Sequence, residues 1–587
     1  MGACSASCAS GMPGEPSPPR AVHECLFPMY VVKVSDFLQM EGVPEPHQVL
    51  LQRGMLHQWT PGMSVIFVSH QWLGYSHPDP EGRHAAVLRG MLRGVLDGTL
   101  QVELEVAHDA QVDLQLAADH AKEQVRSGYI FLDWFAIPQI TARAPGLNED
   151  LTKSDAALAV QSIPFYVEVS SLFLALVPEL RHQTTARFCN YTSWLQRGWC
   201  RAELWCHLLS NKPFTQVIVV FSHLDAQFMF PTDWQDNTID HGDFTVESDR
   251  EIVTRLGKTA LEHKIQTLSS DGPLNVYRYF LARRPRMLGQ APLKLDVQGF
   301  LHHFKFETFQ SAVGDASTMN AVLCATLADD VGMVKLLVKS RAELNTPTQG
   351  LEEFGYADSV TVLMVAMQSK QSMEMITALL ELGADVNAST TVGCSVASYV
   401  RSPEQLQEVL RFRADLDKTS EPLYLAPIAK AAGLTDAKTV RAFLDAKADP
   451  NPPMRGLGVC PLLGAVTLSR GNPESYNIVE LLLQCRGDAN ARARPDGFAT
   501  SILIFPARIL VALLGRENCR PQTREAASLP GMTPLMEAAA QGNEELTELL
   551  LRYGGEALPN DRGETPQELA EANGHFNVLP SFMTCSV

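Results

Sequence analysis

One glutamate stands out as the residue of this sequence best placed to do chemistry. Glu203 lies in the segment Arg197-Gly198-Trp199-Cys200-Arg201-Ala202-Glu203-Leu204, which begins a predicted helix between two apolar, strand-like runs. A carboxyl group near the carboxyl end of a strand can act as an acid or base, or can stabilise a developing positive charge. The segment therefore makes Glu203 the candidate catalytic residue.

Polar and aromatic side chains also stand at the ends of two predicted strands, 64–69 and 129–133. These side chains are Ser69, His70, Trp72, Asp133 and Trp134. In an open parallel sheet, ligands bind beyond the carboxyl ends of the strands, at the point where the strand order reverses. We therefore expect the five side chains and Glu203 to border one crevice, where Trp72 or Trp134 could stack on an aromatic ring.

Each of these residues also has a purely structural interpretation. Glu203 could form an ion pair with Arg197 or Arg201. Asp133 could bond the loop that follows its strand, and His70 by itself identifies no reaction. Both interpretations stay open on the sequence alone.

Strand-like and helix-like runs alternate over residues 64–270, which must position these side chains. Near-continuous apolar runs at 64–69, 129–133, 172–177 and 216–221 predict buried parallel strands. Segments with helical periodicity lie around them, at 83–96, 114–126, 155–169, 199–209 and 249–268. The pattern predicts an α/β fold with a doubly wound parallel sheet covered on both faces.

A helical repeat follows over residues 318–579. Its unit ends in Leu-Leu followed by an Ala-Asp-x-Asn-like turn, as in 379–387, and its opening half is clearest at 531–539. The interval varies around roughly 33 residues, the ankyrin period, and 493–530 is an insertion or a degenerate repeat. We expect an all-α solenoid with one shared core. The residues expected in that core include Ile478, Leu481, Leu482, Leu535, Ala538 and Leu550.

The repeat resembles the ankyrin repeat, with Met536 where that family usually has histidine. The resemblance implies that this part of the chain binds a protein partner. The remaining segments are interpreted as a disordered tail at 1–20, a lead-in at 21–63, a packed connector at 271–317 and a short tail at 580–587.

Three segments of the α/β domain, in their order, resemble two families of similar fold. Residues 67–72 and 132–139 resemble the opening motifs of fungal heterokaryon-incompatibility domains, with Ala136 where that family has cysteine. Residues 198–204 resemble the Trp-Cys-x-x-Glu-Leu motif of TIR domains, with Arg197 where that pattern has serine.

In TIR domains that cleave NAD, the glutamate of this motif is catalytic, so the resemblance implies that role for Glu203. Loss of nicotinamide leaves an oxocarbenium-like cation, which a carboxylate stabilises. Two functions therefore remain. In one, an intracellular signalling scaffold binds a partner through its ankyrin repeats and self-associates through a TIR-like domain. In the alternative, the α/β domain is an NAD-cleaving hydrolase that becomes active on assembly.

Composition argues against several other classes. The 587 residues are enough for two to four domains. The 48 Lys and Arg against 66 Asp and Glu give a net charge of −18, which repels the phosphates of a nucleic acid. The 12 cysteines show no spacing typical of a zinc site, so we expect no metal, no resident cofactor and reduced thiols in the cytoplasm.

Two stretches bear on membrane contact. The most apolar run, 501–511, contains Pro506 and Arg508 and is shorter than the roughly 20 residues of a spanning helix, so no transmembrane segment is expected. Near the beginning of the sequence, Gly2 and Cys4 offer sites for N-terminal acylation.

Overall fold

A mixed β-sheet with covering helices makes up the first part of the chain, and stacked helix pairs make up the rest. The computed structural model describes residues 23–102, 114–140, 149–212, 215–235, 237–419, 423–516 and 519–584. Expectations for the tails, including acylation at Gly2 and Cys4, fall outside the described residues.

The predicted parallel sheet is present and forms the centre of the first domain. The strands are β1 (Tyr30–Lys33), β2 (His57–Gln58), β3 (Val65–His70), β4 (Tyr129–Phe131), β5 (Leu172–Leu176), β6 (Leu180–Arg181), β7 (Phe188–Cys189), β8 (Val217–Val220) and β9 (Ala226–Phe228). Strands β4, β3, β5 and β8 are parallel neighbours in that order. The order reverses between β3 and β5, so ligand-binding groups are expected beyond His70 and Leu176.

Antiparallel strands close both edges of this sheet, which makes it mixed. The segment 21–63, expected to be only a lead-in, supplies β1 beside β4 and β2 beside β1. Val31 and Val32 are fully buried, because the short β-branched run of β1 fills the edge that β4 would otherwise expose. At the other edge, β9 pairs with β8.

Helices cover the sheet on both sides, as a doubly wound topology requires. The helices of this domain are Val34–Phe37, His47–Gln52, Arg83–Asp97, Leu114–Ser127, Asp133–Ala136, Glu149–Gln161, Ile163–Val169, Tyr191–Gln196, Gly198–Leu208, Pro231–Gln235, the short 3-10 helix Ile239–His241, and Asp249–Asp271. The segment predicted as one helix over 155–169, kinked at Pro164, is two helices, because proline is tolerated in the first turn of a helix and not in its interior.

Three helices connect the two parts of the chain, at Leu274–Met287, Val297–His303 and Phe309–Val313. The guanidinium of Arg278 ties this connector together. It donates to the Phe304 carbonyl at 2.9 Å and forms an ion pair with Asp315 at 3.1 Å. The connector contains two buried cations, Arg278 and Arg283.

Helix pairs stack along the described residues from 321 to 584. Their helices are Ala321–Leu327, Val331–Lys339, Val362–Gln368, Met373–Glu381, Val396–Tyr399 (3-10), Pro403–Arg411, Pro427–Leu434, Ala437–Asp445, Pro461–Thr467, Ser475–Gln484, Pro534–Ala540, Glu544–Arg552, Pro566–Ala572, Phe576–Val578 (3-10) and Leu579–Thr584. The six apolar residues expected in the shared core, from Ile478 to Leu550, are all buried.

A ladder of asparagine side chains links the turns between successive repeats. Each amide donates to a carbonyl of the next repeat and accepts from one of its backbone N–H groups. The four asparagines are Asn345, Asn387, Asn451 and Asn490. Asp417 occupies the equivalent place in the repeat after Asn387, and a carboxylate cannot donate to a carbonyl.

The 493–530 stretch is an insertion, because the array continues without it. The Asn490 side chain donates to the Gly554 carbonyl at 3.0 Å, across 64 positions of sequence. The insertion leaves and re-enters the array at one point, where Ala493 bonds the backbone of Gly531 and Met532 at 2.9 and 2.8 Å. It contains the helices Gly497–Ala499, Phe505–Leu514 and Pro521–Ser528, with a π-helical turn at Thr500–Ile504.

The first helical stretch of the insertion is longer than the apolar run 501–511. Gly497–Leu514 forms 18 helical residues with a mean hydropathy of 2.0, of which 22% are buried. By length and composition alone it could cross a membrane, contrary to the expectation of no such segment. Pro506 does not break it, because that proline follows a π-helical turn and lies in the first turn of Phe505–Leu514.

Candidate functional site

The structure brings four of the expected site residues together beyond the carboxyl end of β3. Ser69 and His70 end that strand, Asp133 begins the short helix after β4, and Glu203 lies on the helix Gly198–Leu208. We call Ser69, His70, Asp133 and Glu203 the strand-end cluster. It sits at the edge of the sheet at which its parallel strands end, as the sequence predicted for a crevice.

Glu203 is held by a side chain of the first parallel strand. The Ser69 hydroxyl donates to Glu203 Oε2 at 2.5 Å. The indole N–H of Trp194 donates in turn to Ser69 Oγ at 3.0 Å. Trp194 is fully buried, so this chain of bonds fixes the position of the glutamate from the protein interior.

Asp133 holds the other half of the cluster. Its Oδ1 lies 2.9 Å from His70 Nε2, and its Oδ2 accepts from the indole N–H of Trp72 at 2.7 Å. Partial burial raises the pKa of Asp133, but the His70 charge and these two hydrogen bonds outweigh it, so the net pKa is lowered. Asp133 is therefore an anion at neutral pH.

His70 faces a second histidine. His70 Nδ1 lies 3.3 Å from His84 Nδ1. Burial lowers the pKa of His70, but the charge and hydrogen bond of Asp133, helped by Glu203, outweigh it and raise the pKa overall. Burial and the His70 charge lower the pKa of His84. One nitrogen of His70 thus faces the Asp133 carboxylate, and the other faces a neutral His84.

The protonation state of Glu203 limits what the cluster can do. Burial raises the pKa of Glu203 to about 8 against the hydrogen bond from Ser69, and the charge of Asp133 adds to the increase. At pH 7 Glu203 is therefore mostly a neutral acid that can donate a proton. Glu203 can stabilise a cation only when the pH is high enough to ionise its carboxyl group.

The two tryptophans differ in their access to a ligand. Trp72 is half-buried. Trp134, expected to line the crevice, is buried with only 3% exposed. Its indole N–H donates to the Pro44 carbonyl at 2.9 Å, and its ring lies 4.4 Å from that of His77. Trp134 cannot stack on a ligand in this position, because Pro44, before β3, and His77, after it, already cover it.

Sequence reasoning missed three members of this site. Trp194 and His84 bond the cluster directly, and the Cys200 thiol lies 3.9 Å from the His70 carbonyl. Burial raises the pKa of Cys200 well above its ordinary value, so the thiol is unreactive. No local signal in the sequence identified Trp194 or His84.

A cleft of about 460 Å³ lies between the α/β domain and the array, and neither Ser69 nor Glu203 lines it. The α/β domain contributes Glu179 and Tyr191, and the array contributes Arg470, Asn543 and His575, among others. Such a volume is in the range of small-ligand sites. The cleft lies where the α/β domain contacts three turns of the array, each between the two helices of one repeat.

Asp225 is the centre of the contacts beside this cleft. It lies in the turn before β9 and accepts from Arg470 at 2.5 Å and from His575 at 2.9 Å. Burial raises the pKa of Asp225, but the charges of Arg470 and His575 and their hydrogen bonds lower it far below its ordinary value. The Arg470 guanidinium also lies 3.7 Å from the centre of the Phe221 ring.

Glu179 makes a second contact between the two parts. Its Oε1 accepts from the backbone N–H of Glu544 at 2.6 Å, at the first turn of the helix Glu544–Arg552. Arg181 pairs with the Glu544 side chain at 2.6 Å. Burial raises the pKa of Glu179 to about 7, although its hydrogen bonds favour the anion.

Metal and disulfide chemistry find no support in the described residues. Over that part of the chain no group of three His, Cys, Asp or Glu side chains could hold a metal ion. The cysteines found there are all free, and most of them are buried.

Comparison with known proteins finds similarity to ankyrin repeats. Residues 530–564 match the family model of the ankyrin repeat. Similar solved structures include the human ASB11 ankyrin repeat domain, at 20% identity over 45% of this chain and 97% of that chain, with a TM-score of 0.31. The ankyrin repeat domain of Bcl-3 is also similar, at 20% identity over 44% of this chain and 97% of that chain, with a TM-score of 0.28.

No curated protein matches the chain in sequence. The match at 530–564 includes the helices Pro534–Ala540 and Glu544–Arg552. The described chain thus carries an ankyrin repeat within a solenoid of helix pairs.

Proposed function

We propose that this protein is an intracellular signalling scaffold whose array binds a protein partner along the edge formed by the turns between repeats. The α/β domain contacts the opposite ends of the helices, at Ser469, Arg470, Gln541 and His575. The domain reaches the inter-repeat edge where Gly355 lies against Pro231 and Thr232. The turns at 341, 413, 447 and 486 are exposed along the same edge. Protein binding is the role that ankyrin repeats commonly serve, and the exposed edge offers a surface for it.

The observation that carries this proposal is a row of exposed cations in a costly backbone conformation. Six equivalent turn positions have positive φ, and two of them are Gly383 and Gly554. The other four are Arg341, Arg413, Lys447 and Arg486, with φ between 66° and 74°. A side chain in this region costs on the order of 1 kcal/mol relative to glycine. Retention of long exposed cations at that cost supports a binding role.

Replacing the four cations by glycine separates binding from folding. The variant R341G/R413G/K447G/R486G in the full chain should melt at a higher temperature, because the strain is relieved, yet should lose its partner. Proximity labelling in cells followed by mass spectrometry would identify proteins labelled by the parent and not by the variant. The control variant K339Q/R552Q removes two exposed cations from helices of the array and should label the same proteins as the parent. An unchanged set of labelled proteins in the glycine variant would overturn the proposal.

For the α/β domain we propose self-association in the cytoplasm. The ordered resemblance of 67–72, 132–139 and 198–204 to TIR and incompatibility domains supports the self-association. The free cysteines of the described residues favour a reducing compartment. Sedimentation velocity of the full chain should show mass that rises with concentration. A single monomeric species at all concentrations would contradict this proposal.

A second candidate function is cleavage of NAD at Glu203. The 2.5 Å bond between Ser69 and Glu203 favours it, because that bond aims the glutamate at the point where the strand order reverses. With a pKa of about 8, nicotinamide release should increase between pH 7 and 9. Glu203→Gln should reduce it at least about a hundredfold, whereas Glu262→Gln, on the surface, should not. No release by the parent at pH 9 would exclude this function.

A further inference from the structure

The insertion at 493–530 presents an apolar helix to the surroundings. Only Ala499, Ile504, Ala507 and Val511 along its buried side are covered, with 1%, 2%, 6% and 3% exposed. Ala507 and Val511 pack against Cys519 and Ala527 from the segment that follows. This contact anchors the helix but uses only a narrow stripe of its surface.

The rest of the helix surface is apolar and open. At 100° per residue, the exposed positions from 505 to 514 cover more than half of the circumference. Phe505 is 62% and Leu513 76% exposed. The other exposed large apolar side chains of this surface are Phe498, Ile502, Leu503, Ile509, Leu510 and Leu514. We call these eight side chains the apolar arc.

The width of the apolar arc favours lipid over a protein groove. A helix that packs on protein usually buries one stripe and turns polar side chains to the other side, whereas a helix that is apolar all round is enclosed or lies in lipid. Here the anchoring stripe and the apolar arc are on different sides. The polar residues between Gly497 and Leu514 are Thr500, Ser501 and Arg508.

The topology of the insertion decides how such a helix can meet a bilayer. The chain returns to the array through Pro521–Ser528, an eight-residue helix that contains Gln522, Arg524 and Glu525. This segment is too short and too polar to cross the hydrocarbon core. Both ends of the insertion are also bonded together at Ala493 and Gly531. The apolar helix must therefore lie in the interface of one leaflet.

Binding to an anionic membrane surface also requires positive charge near the apolar helix. The chain as a whole has a charge of −18, but residues 492–525 contain six arginines and three acidic residues. Arg494 is exposed just before the helix, and Arg508 borders the apolar arc. Basic side chains beside an apolar helix face are typical of helices that bind anionic membrane surfaces.

We propose that the helix Gly497–Leu514 inserts its apolar arc into the headgroup region of an anionic lipid bilayer. Arg494 and Arg508 then contact the anionic headgroups, whereas Arg492 and Arg516 stay paired with Asp561 and Glu564. The array stands on the membrane surface beside the insertion. This attachment is independent of acylation at Gly2 and of the partner bound to the array.

Vesicle sedimentation of the full chain tests this. Protein produced in bacteria without an N-acyltransferase is mixed with unilamellar vesicles of phosphatidylcholine, alone or with 30% phosphatidylserine. The parent should bind the anionic vesicles more strongly, and F505S/L513S should lose at least about tenfold in partitioning. The matched control V246S/L434S removes two exposed apolar side chains elsewhere and should bind like the parent. The variant R494E/R508E should weaken binding to the anionic vesicles only.

Other outcomes identify other occupants. A parent that binds no vesicle but is a dimer, and becomes a monomer in F505S/L513S, would show that a second copy covers the helix. A monomeric parent without vesicle affinity, or F505S/L513S binding as well as the parent, would equally overturn the proposal. Thermal melting of each variant shows that folding is retained, since every substituted apolar side chain is exposed.

Discussion

At the scale of single residues, Glu203 shows how surroundings set the chemistry of a carboxyl group. Ordinary glutamate ionises near pH 4, yet burial and the neighbouring charge of Asp133 raise the pKa of Glu203 to about 8. A few ångströms away, His70 and Trp72 keep Asp133 ionised. Two carboxyl groups at one strand end therefore have opposite protonation states at neutral pH, a division that suits an acid beside a fixed anion.

The raised pKa of Glu203 predicts a pH-dependent stability. A pKa above the unfolded value means that the folded state binds the proton more tightly, so this contribution is complete below about pH 4 and is lost as the pH rises towards 8. Glu203→Gln keeps the shape without the charge. At pH 9 it should be more stable than the parent by on the order of 2 kcal/mol, and the difference should vanish near pH 4. Urea unfolding at both pH values measures it.

A control variant and a contradicting outcome make that measurement specific to Glu203. Glu262→Gln alters a surface carboxyl and should give no difference between the two pH values. A Glu203→Gln variant that is equally or less stable than the parent at pH 9 would mean that the carboxyl is ionised at little cost.

At the scale of elements, the asparagine ladder explains why an irregular array still stacks. Each asparagine replaces two solvent bonds with two bonds to the next repeat, so the turn of one unit fixes the register of its neighbour. The bond from Asn490 to Gly554 spans the whole insertion. The inserted helices can therefore project from the array without separating the repeats on either side.

Asp417 is the exception, and it gives a prediction about stability. Asp417→Asn should restore the donor to the next turn and stabilise the array by about 1 kcal/mol. The reverse change, Asn387→Asp, alters one of the four asparagines of the ladder. It should remove the bond to the Arg413 carbonyl and destabilise the array by a similar amount. Thermal and urea unfolding of the full chain would show both shifts. Equal stability of Asp417→Asn and the parent would mean that the turn after Asp417 has a different geometry.

At the scale of the whole molecule, the α/β domain shares one apolar core with the connector and the first repeats, and polar contacts join it to the last repeats. Asp225, Arg470 and His575 form the central group, and Ser222 bonds the Asn573 carbonyl at 2.5 Å beside them. Contacts of this kind fix orientation more than they add stability. The four exposed cations of the inter-repeat turns are not among these contacts.

Removing one charge of the junction should loosen the two parts. Asp225→Asn leaves the Arg470 guanidinium without its counter-charge and should destabilise by about 2 kcal/mol. Arg470→Gln should destabilise the protein by a comparable amount. The double variant should be destabilised by less than the sum of the two single effects, because the two residues act as a pair. Hydrogen exchange at the Glu544 amide, which bonds Glu179 across the junction, should become faster in both single variants. Additive effects would show that the pair is not coupled.

The local pattern of the sequence determined the main elements and the polar residues at strand ends. The four parallel strands appear where apolar runs predict them, because strands buried on both faces must be apolar throughout. The repeat turns predicted the solenoid, and the six core residues tested are buried. The sequence also placed Ser69, His70, Asp133 and Glu203 at one edge, because parallel strands end together.

Only the tertiary structure decided what surrounds those residues. The edge strand β1, the burial of Trp134 and the proton on Glu203 all depend on segments distant in sequence. The helix Gly497–Leu514 illustrates the same limit, because its apolar pattern suits a protein core and a membrane equally well. Periodicity records which side chains are apolar, whereas exposure depends on which other segments arrive to cover them.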